Sequence, residues 1–348
     1  MGDAVTQWKV FYHASTPGEG QFIQLPVEMS LDPSDHEVIV EPKRVAICGS
    51  DLHALTVYTG SEFVLGHEWT GVVKAVGNQV TSFRAGDVVT SATTIGCGIC
   101  EYCLEGEEQL CLNPERLGAG MQQGALSSGL KVPMNFLLKL KDHEIDSGVL
   151  LEPLAVAQET INLLEKNSLQ IPSRKILIIG AGGIGLLEAW LLKKLGAQVS
   201  ILEIDQERLA FARSHGFDAY RFEFALMDKA FKEAFDIVID AAGSLNGQKE
   251  ACRYLSYFGK KRFTAIVVGK YPEGTQLPFS CMQKKQASYI WQASLSRGTL
   301  QKTYELYGDS LAELASWVLH APLPLSGINN ACLLAKNKVC PPRVYITI

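Results

Sequence analysis

Hydrophobic positions follow two different rhythms along the chain. Up to about residue 150, apolar residues come in short alternating runs broken by glycine and turn residues. Residues 37–41, 71–76 and 86–89 read as strands, and this half is expected to be mainly β. The rhythm then changes. Residues 152–165 read as a helix, and 167–174, with Pro172, as a turn. Lys175–Ile179 is an apolar strand followed by a glycine cluster and an apolar stretch, 186–195, long enough for a helix. Residues 198–202 and 206–215 repeat strand and helix, and Phe235–Asp240 and 263–268 continue the alternation. The pattern predicts an α/β fold whose second part is a parallel sheet covered on both faces. The last stretch is mixed and ends in an expected strand at 343–348, whose partner the pattern does not identify.

A length of 348 residues fits two domains. With 47% hydrophobic and 20% charged residues, the chain is globular and not disordered, collagenous or coiled-coil. A net charge of −5 gives no general attraction for nucleic acid or anionic membrane. The longest apolar runs have strand length, so no membrane helix is expected. The first nine residues lack the apolar core of a signal peptide, and the expected compartment is the cytoplasm. Nine cysteines in such a chain suggest metal binding or catalysis before disulfides.

Three constellations carry chemistry. Cys97, Cys100, Cys103 and Cys111 are spaced C-x2-C-x2-C-x7-C, which suits a closed structural zinc site, with an iron–sulfur cluster as the alternative. Cys48, His67, Glu68 and Glu152 together offer one sulfur, one nitrogen and two carboxylate ligands, a set suited to catalytic zinc with an open position. Gly180, Gly182, Gly183 and Gly185 follow a strand and open a helix, the setting of a dinucleotide loop. Gly180 serves the tight turn, Gly182 the approach of a pyrophosphate, and Gly185 the close packing of helix on strand. Glu203 ends the next strand, 18 residues after Gly185, where a carboxylate binds adenosine ribose hydroxyls and repels a 2′-phosphate. That favours NAD+ over NADP+, with Asp205 as the rival residue.

The order of CGSDLH, GHEWTG, the four-cysteine loop, LEPLAVA, GAGGIG and LSGINNA resembles the zinc-dependent medium-chain dehydrogenase/reductase family over nearly the whole chain. The Glu-Pro-Leu-Ala form at 152–155 resembles its polyol and threonine dehydrogenase branches. The resemblance implies a GroES-like catalytic domain at 1–155, a Rossmann domain at 156–290, and a return to the catalytic domain at 291–348. It also implies homodimers or homotetramers, with alcohol and nicotinamide in the cleft between the domains. Cys48 and His67 match zinc ligands, and Glu68 and Glu152 match acidic positions that ligate or border the metal. Ser50 and His53 match a proton relay, and Arg208, five residues after Glu203, matches an Arg serving the cofactor's adenosine end. The implied reaction is reversible oxidation of a secondary alcohol to a ketone, with NAD+ taking hydride and zinc acting as a Lewis acid. L-threonine, another amino alcohol or a phosphorylated polyol are alternative substrates. A catalytically inactive NAD-binding homologue is the alternative of a different class. The chain departs from the family pattern at 115–135 and 280–310, regions that normally line the substrate pocket or subunit interface.

Overall fold

The computed structural model of the chain describes residues 7–16, 18–28, 31–57, 60–119, 123–242, 254–269 and 279–348. Two units pack within themselves: 1–155 with 295–348, and 156–294. The return to the first unit comes at Leu295, where the sequence expectation puts it at 291.

The first unit begins with β1 (Trp8–Ala14) and β2 (Gln21–Pro26), an antiparallel pair. Next come β3 (Glu37–Ala46), α1 (Gly49–Val57), β4 (Gly60–Phe63), β5 (Glu68–Val76) and β6 (Val88–Ser91). A lobe holds β7 (Thr94–Ile95), α2 (Glu101–Leu104) and β8 (Glu115–Arg116), and β9 (Leu130–Pro133) and β10 (Leu137–Lys139) follow it. β3 lies inside a seven-stranded sheet, with β5, β6 and β10 in turn on one side of it, β9 also pairing with it, and two strands from the end of the chain on its other side. Its run EVIVEPKRVA buries Val38, Ile39, Val40, Val45 and Ala46. Pro42 falls at a register shift, where a missing N–H costs the ladder least.

α3 (Leu151–Lys166) carries the chain across to the second unit, a parallel sheet of β11 (Lys175–Ile179), β12 (Gln198–Glu203), β13 (Asp218–Arg221), β14 (Phe235–Asp240), β15 (Gly259–Val267) and β16 (Ser288–Trp291). The spatial order β13-β12-β11-β14-β15-β16 is the doubly wound order. Its central runs, residues 176–178 and 237–239, are buried and apolar throughout, as strands covered on both faces must be. α4 (Gly183–Lys194), α5 (Gln206–Ser214) and α6 (Phe222–Met227) lie between strands. β15 starts earlier than the expected 263, because Gly259 already pairs with Phe235 before the register shifts to Thr264 opposite Ile237. Residues 260–262 bulge out between these pairs.

Back in the first unit are α7 (Arg297–Tyr307), α8 (Leu311–Val318), β17 (Leu323–Pro324), α9 (Ile328–Lys336) and β18 (Tyr345–Thr347). β18 is the strand whose partner the sequence left open. It joins β3 on the edge opposite β5, with Tyr345 opposite Ala46. Ala46 also faces Glu68 across the other edge. One register therefore brings the end of β3, the start of β5 and the segment before β18 together.

Candidate metal centres and dinucleotide loop

That register builds the first site. Cys48 follows β3 directly and opens α1, and its carbonyl accepts from the Asp51 and Leu52 N–H groups. His67 precedes β5, and Glu68 begins it. The ligand atoms of Cys48, His67 and Glu68 all lie within 4.8 Å of one another. His67 and Glu68 are buried, and Cys48 is half-buried.

The surroundings fix which atoms of this set are open. His67 Nδ1 lies 3.3 Å from Asp51 Oδ1 and 3.3 Å from the Gly118 carbonyl. Two acceptors there hold a proton on Nδ1, so Nε2 is the nitrogen that a second proton or a metal ion would take, the usual arrangement of a metal-ligating histidine. Ser50 Oγ stands 3.3 Å from that Nε2. Asp51 is itself held, because its Oδ2 accepts from the Cys48 N–H at 2.9 Å. Burial alone would push the His67 imidazole down, but the Asp51 carboxylate and the Cys48 thiol hold it well above the usual histidine range. The site thus favours a cation at the ring.

Glu68 is completely buried, and its Oε1 pairs with Arg343 Nη1 at 3.0 Å. Neither of its oxygens has a hydrogen-bond partner, the contact with Arg343 being an ion pair alone, so both remain open to a further cation. Burial opposes the Arg343 charge, but Glu68, Cys48 and Glu152 keep it firmly protonated. Glu152, in the first turn of α3, takes a different position. Its Oε1 accepts from Thr93 Oγ1 at 2.8 Å, and it falls outside the 4.8 Å set among the described residues. Burial pushes its carboxyl up; His67 opposes this and Glu68 adds to it. The structure therefore brings Cys48, His67, Glu68 and Ser50 together, with Glu152 in a neighbouring shell. His53 sits one turn beyond Ser50 on α1, half-buried, outside the cluster.

Asp51 and Arg343 were not singled out from the sequence. Asp51 stood inside the CGSDLH motif, and its place three residues after Cys48 in a helix's first turn was the available signal. Nothing local marks Arg343, whose role depends on β18 pairing with β3.

The second set is local. The four sulfurs of Cys97, Cys100, Cys103 and Cys111 lie within 4.8 Å of one another, with Cys100 and Cys111 Sγ 3.8 Å apart. Zinc bonds of about 2.3 Å at tetrahedral angles give a sulfur–sulfur edge of about 3.8 Å. The N–H groups of Cys97 and Asn113 both point to Cys111 Sγ, at 3.3 and 3.4 Å. The backbone N–H groups of Leu112, first, and Cys103 bring the Cys100 thiol down to about 6. Lost solvation and the neighbouring thiols push Cys103 up to about 12. A shared cation would remove this conflict by letting all four lose their protons.

The glycine loop joins β11 to α4. Gly180 has φ +105°, a left-handed conformation that a side chain resists. A Cβ on Gly185 would stand 2.0 Å from the Gly180 carbonyl oxygen, so helix and loop meet backbone to backbone. A Cβ on Gly182 would stand 3.4 Å from Arg208 Nη1, which puts a guanidinium over the loop. Glu203 is buried and braces the same loop. Its Oε2 accepts from the Ala181 N–H at 2.8 Å, and its Oε1 from the Ile204 and Asp205 N–H groups at 2.8 and 2.9 Å. A carboxylate has about four acceptor sites, so one remains after these three bonds. Asp205 is the N-cap of α5, accepting from the Glu207 and Arg208 N–H groups.

Comparison with known proteins adds kinship to this geometry. The family model for the alcohol dehydrogenase GroES-like domain matches residues 34–142. A model for an FAD binding domain matches 173–229, the stretch that holds the glycine loop. Flavin and nicotinamide dinucleotides present the same diphosphate to such loops. The zinc-type alcohol dehydrogenase-like protein YdjJ of Escherichia coli K12, itself uncharacterized, is 32% identical over 76% of this chain and 77% of its own length. The sorbitol dehydrogenase of Bombyx mori is 30% identical over 87% of this chain and 89% of its own. An Escherichia coli oxidoreductase/dehydrogenase of unknown specificity, solved as a crystal structure, superposes with a TM-score of 0.82 at 26% identity and covers 99% of both chains. Likeness of this extent in both sequence and fold is descent, and the chain belongs to the zinc-dependent medium-chain dehydrogenase/reductase family, in its polyol branch.

Proposed function

We propose that this chain is an NAD-dependent enzyme that reversibly oxidises a secondary alcohol of a small polyol to the ketone, with one catalytic and one structural zinc per chain. The observation that carries the reading is the buried set of Cys48, His67 and Glu68, with three different donor atoms within 4.8 Å. Three protein ligands and an open position are the make-up of a catalytic zinc site. Zinc held there supplies Lewis acidity, which lowers the pKa of a nearby hydroxyl by many units. NAD+ supplies the hydride acceptor.

The chain's own residues do the rest. Asp51 holds the His67 ring and its tautomer through Nδ1. Glu68 is read as the third protein ligand, with Arg343 balancing its charge from behind. Glu152 is read as an outer-shell carboxylate held by Thr93. The Ser50 hydroxyl, beside His67 Nε2, takes the substrate's hydroxyl proton. Ser50 releases its own proton as it takes this one, and His53, one turn further along α1, receives it on the way to solvent.

At the glycine loop, the preference for NAD+ rests on the Glu203 carboxylate, whose charge would repel a 2′-phosphate. Arg208 is read as a partner for the cofactor's adenosine end. Cys97, Cys100, Cys103 and Cys111 are read as the structural zinc ligands. The cytoplasm is read as the compartment, since cysteines clustered at metal-ligand spacing call for a reducing one. Among the described residues no strand pairs with the outer edge of β16, and such an edge could take a second copy, which supports a homo-oligomer.

Metal analysis and a panel of polyols, amino alcohols and phosphorylated polyols with NAD+ or NADP+ test the proposal together. Two zinc ions per chain and faster polyol oxidation with NAD+ are expected. Better turnover with NADP+ would overturn the role of Glu203. An active enzyme without zinc would overturn the role of the Cys48 set.

A further inference from the structure

α4 carries a carboxylate that the reaction does not use. Glu188 sits one turn beyond Gly185 and is 1% exposed. Its Oε1 lies 2.8 Å from Thr160 Oγ1 on α3, and its Oε2 is buried without a hydrogen-bond partner. Among the described residues, no lysine, arginine or histidine pairs with it. Another acid, Asp240 at the end of β14, acts on it as a like charge.

The hydrogen-bond chain through Thr160 can be counted. Gln292 Nε2 donates to the Val156 carbonyl at 2.7 Å, which fixes the orientation of the amide. Gln292 Oε1 therefore faces Thr160 Oγ1, at 2.9 Å. The Thr160 hydroxyl now has two oxygen neighbours, Gln292 Oε1 and Glu188 Oε1, but only one proton. Gln292 Oε1 can only accept. If Thr160 donates to it, the Glu188 contact needs a proton of its own, and the carboxyl is the one group that can carry it. Val156 and Gln292 stand near the two ends of the unit 156–294, so this chain ties both ends of the unit to α4.

We propose that Glu188 is a neutral carboxylic acid at physiological pH, and that its proton completes the chain Glu188–Thr160–Gln292–Val156, making it a positioning residue for α4 and the glycine loop. Ionisation would leave two carboxylate oxygens and a glutamine oxygen competing for one hydroxyl proton in a buried site. Burial agrees with this, pushing the carboxyl up to about 8, against the Thr160 bond and with the help of Asp240. The effect on cofactor binding rests on the reading of the loop as a dinucleotide site; the protonation does not.

The test uses the full-length, zinc-loaded enzyme and Glu188→Gln, which keeps a neutral donor at the same place. Infrared difference spectra between the two should show a protonated carboxyl band at pH 7 that is lost by pH 9.5. A carboxylate spectrum at pH 7 overturns the proposal. The variant should gain thermal stability over wild type progressively from pH 5 to 8. A raised folded pKa makes wild-type stability fall as pH rises toward it. NADH titration should weaken in wild type by about tenfold per pH unit above pH 8, as the competent fraction falls, and stay level in the variant. Parallel pH profiles in the two proteins overturn the positioning role. If neither protein binds NADH at any pH, the dinucleotide reading fails while the infrared band still decides the proton. If the variant does not fold, Glu188→Leu serves as the reference for the same infrared difference spectrum.

Discussion

The two cysteine-bearing sites of the first unit are built by opposite strategies. The lobe takes all four ligands from one 15-residue stretch, 97–111, and all four are thiols. Three of them are half-buried, and Ile99, Leu104 and the adjoining Leu112 are exposed. The open set takes a sulfur from the end of β3 and a nitrogen and an oxygen from the start of β5. It depends on Arg343 from beside β18 for charge balance. The lobe needs only a short chain and a metal. The open set needs a finished sheet. A local ligand set holds a loop together, whereas a set assembled from distant strands can be buried, asymmetric and left one ligand short. In the proposed function, that last property would give an alcohol a place to bind.

The largest expected effect is on the open set. His67→Ala should abolish turnover of polyol while NADH binding survives, since the glycine loop belongs to the other unit. Turnover assays and fluorescence titration on one preparation check this, and an active variant would remove the open set from the mechanism. Cys100→Ser should act on the other site alone. The variant should hold one zinc per chain where wild type holds two, with the lobe opened to proteolysis near 97–111. Zinc content and limited digestion read both effects. Retention of both metals would mean that the four thiols are not a closed set.

Arg343→Leu probes the wiring that only the open set has. In the zinc-free protein it takes the guanidinium from the buried Glu68 carboxylate, and removing one partner of such a pair costs about 3–5 kcal/mol. Denaturant unfolding should show that loss. A second change, Glu68→Leu, added to Arg343→Leu should recover much of the stability while leaving the protein without the catalytic zinc. If the double variant is no better than the single one, the pair is not the source of the cost.

The same contrast explains what could be read from sequence. The lobe was legible because its ligands share a short spacing. Lys175–Ile179 and Phe235–Asp240 were legible as strands because strands covered on both faces become uninterrupted apolar runs. The glycine loop was legible because the strand before it and the helix after it have clear periods. Arg343 was not, because its meaning arises from the pairing of Tyr345 with Ala46, and register between distant strands leaves no local trace. Glu188 was hidden for a related reason. It lies within an otherwise apolar helical run, and only the packing of α3 against α4 shows that it has no cation. Glu203 was legible as the acid at a strand end, but its bond from the Ala181 N–H of the glycine loop and its two bonds from the Ile204 and Asp205 N–H groups were not.

The smallest expected effect separates the two glutamates that the sequence could not rank. Glu68 shares the 4.8 Å set with Cys48 and His67, whereas Glu152 is held apart by Thr93. Glu68→Gln replaces a ligand carboxylate with a weak amide donor and also leaves Arg343 without its negative partner, so the catalytic zinc should be lost. Glu152→Gln has the same shape, and its amide oxygen can still accept from Thr93. Burial already pushes the Glu152 carboxyl up, so a neutral group there changes less than it would at Glu68. Outer-shell changes typically cost about 10–100-fold in metal affinity, and Glu152→Gln should fall near the lower end, about tenfold. Competition with a chromophoric chelator measures both variants on one scale. Equal losses would place Glu152 beside Glu68 as a ligand. A larger loss at Glu152 would reverse the assignment and make Arg343–Glu68 a structural pair behind a Cys48–His67–Glu152 site.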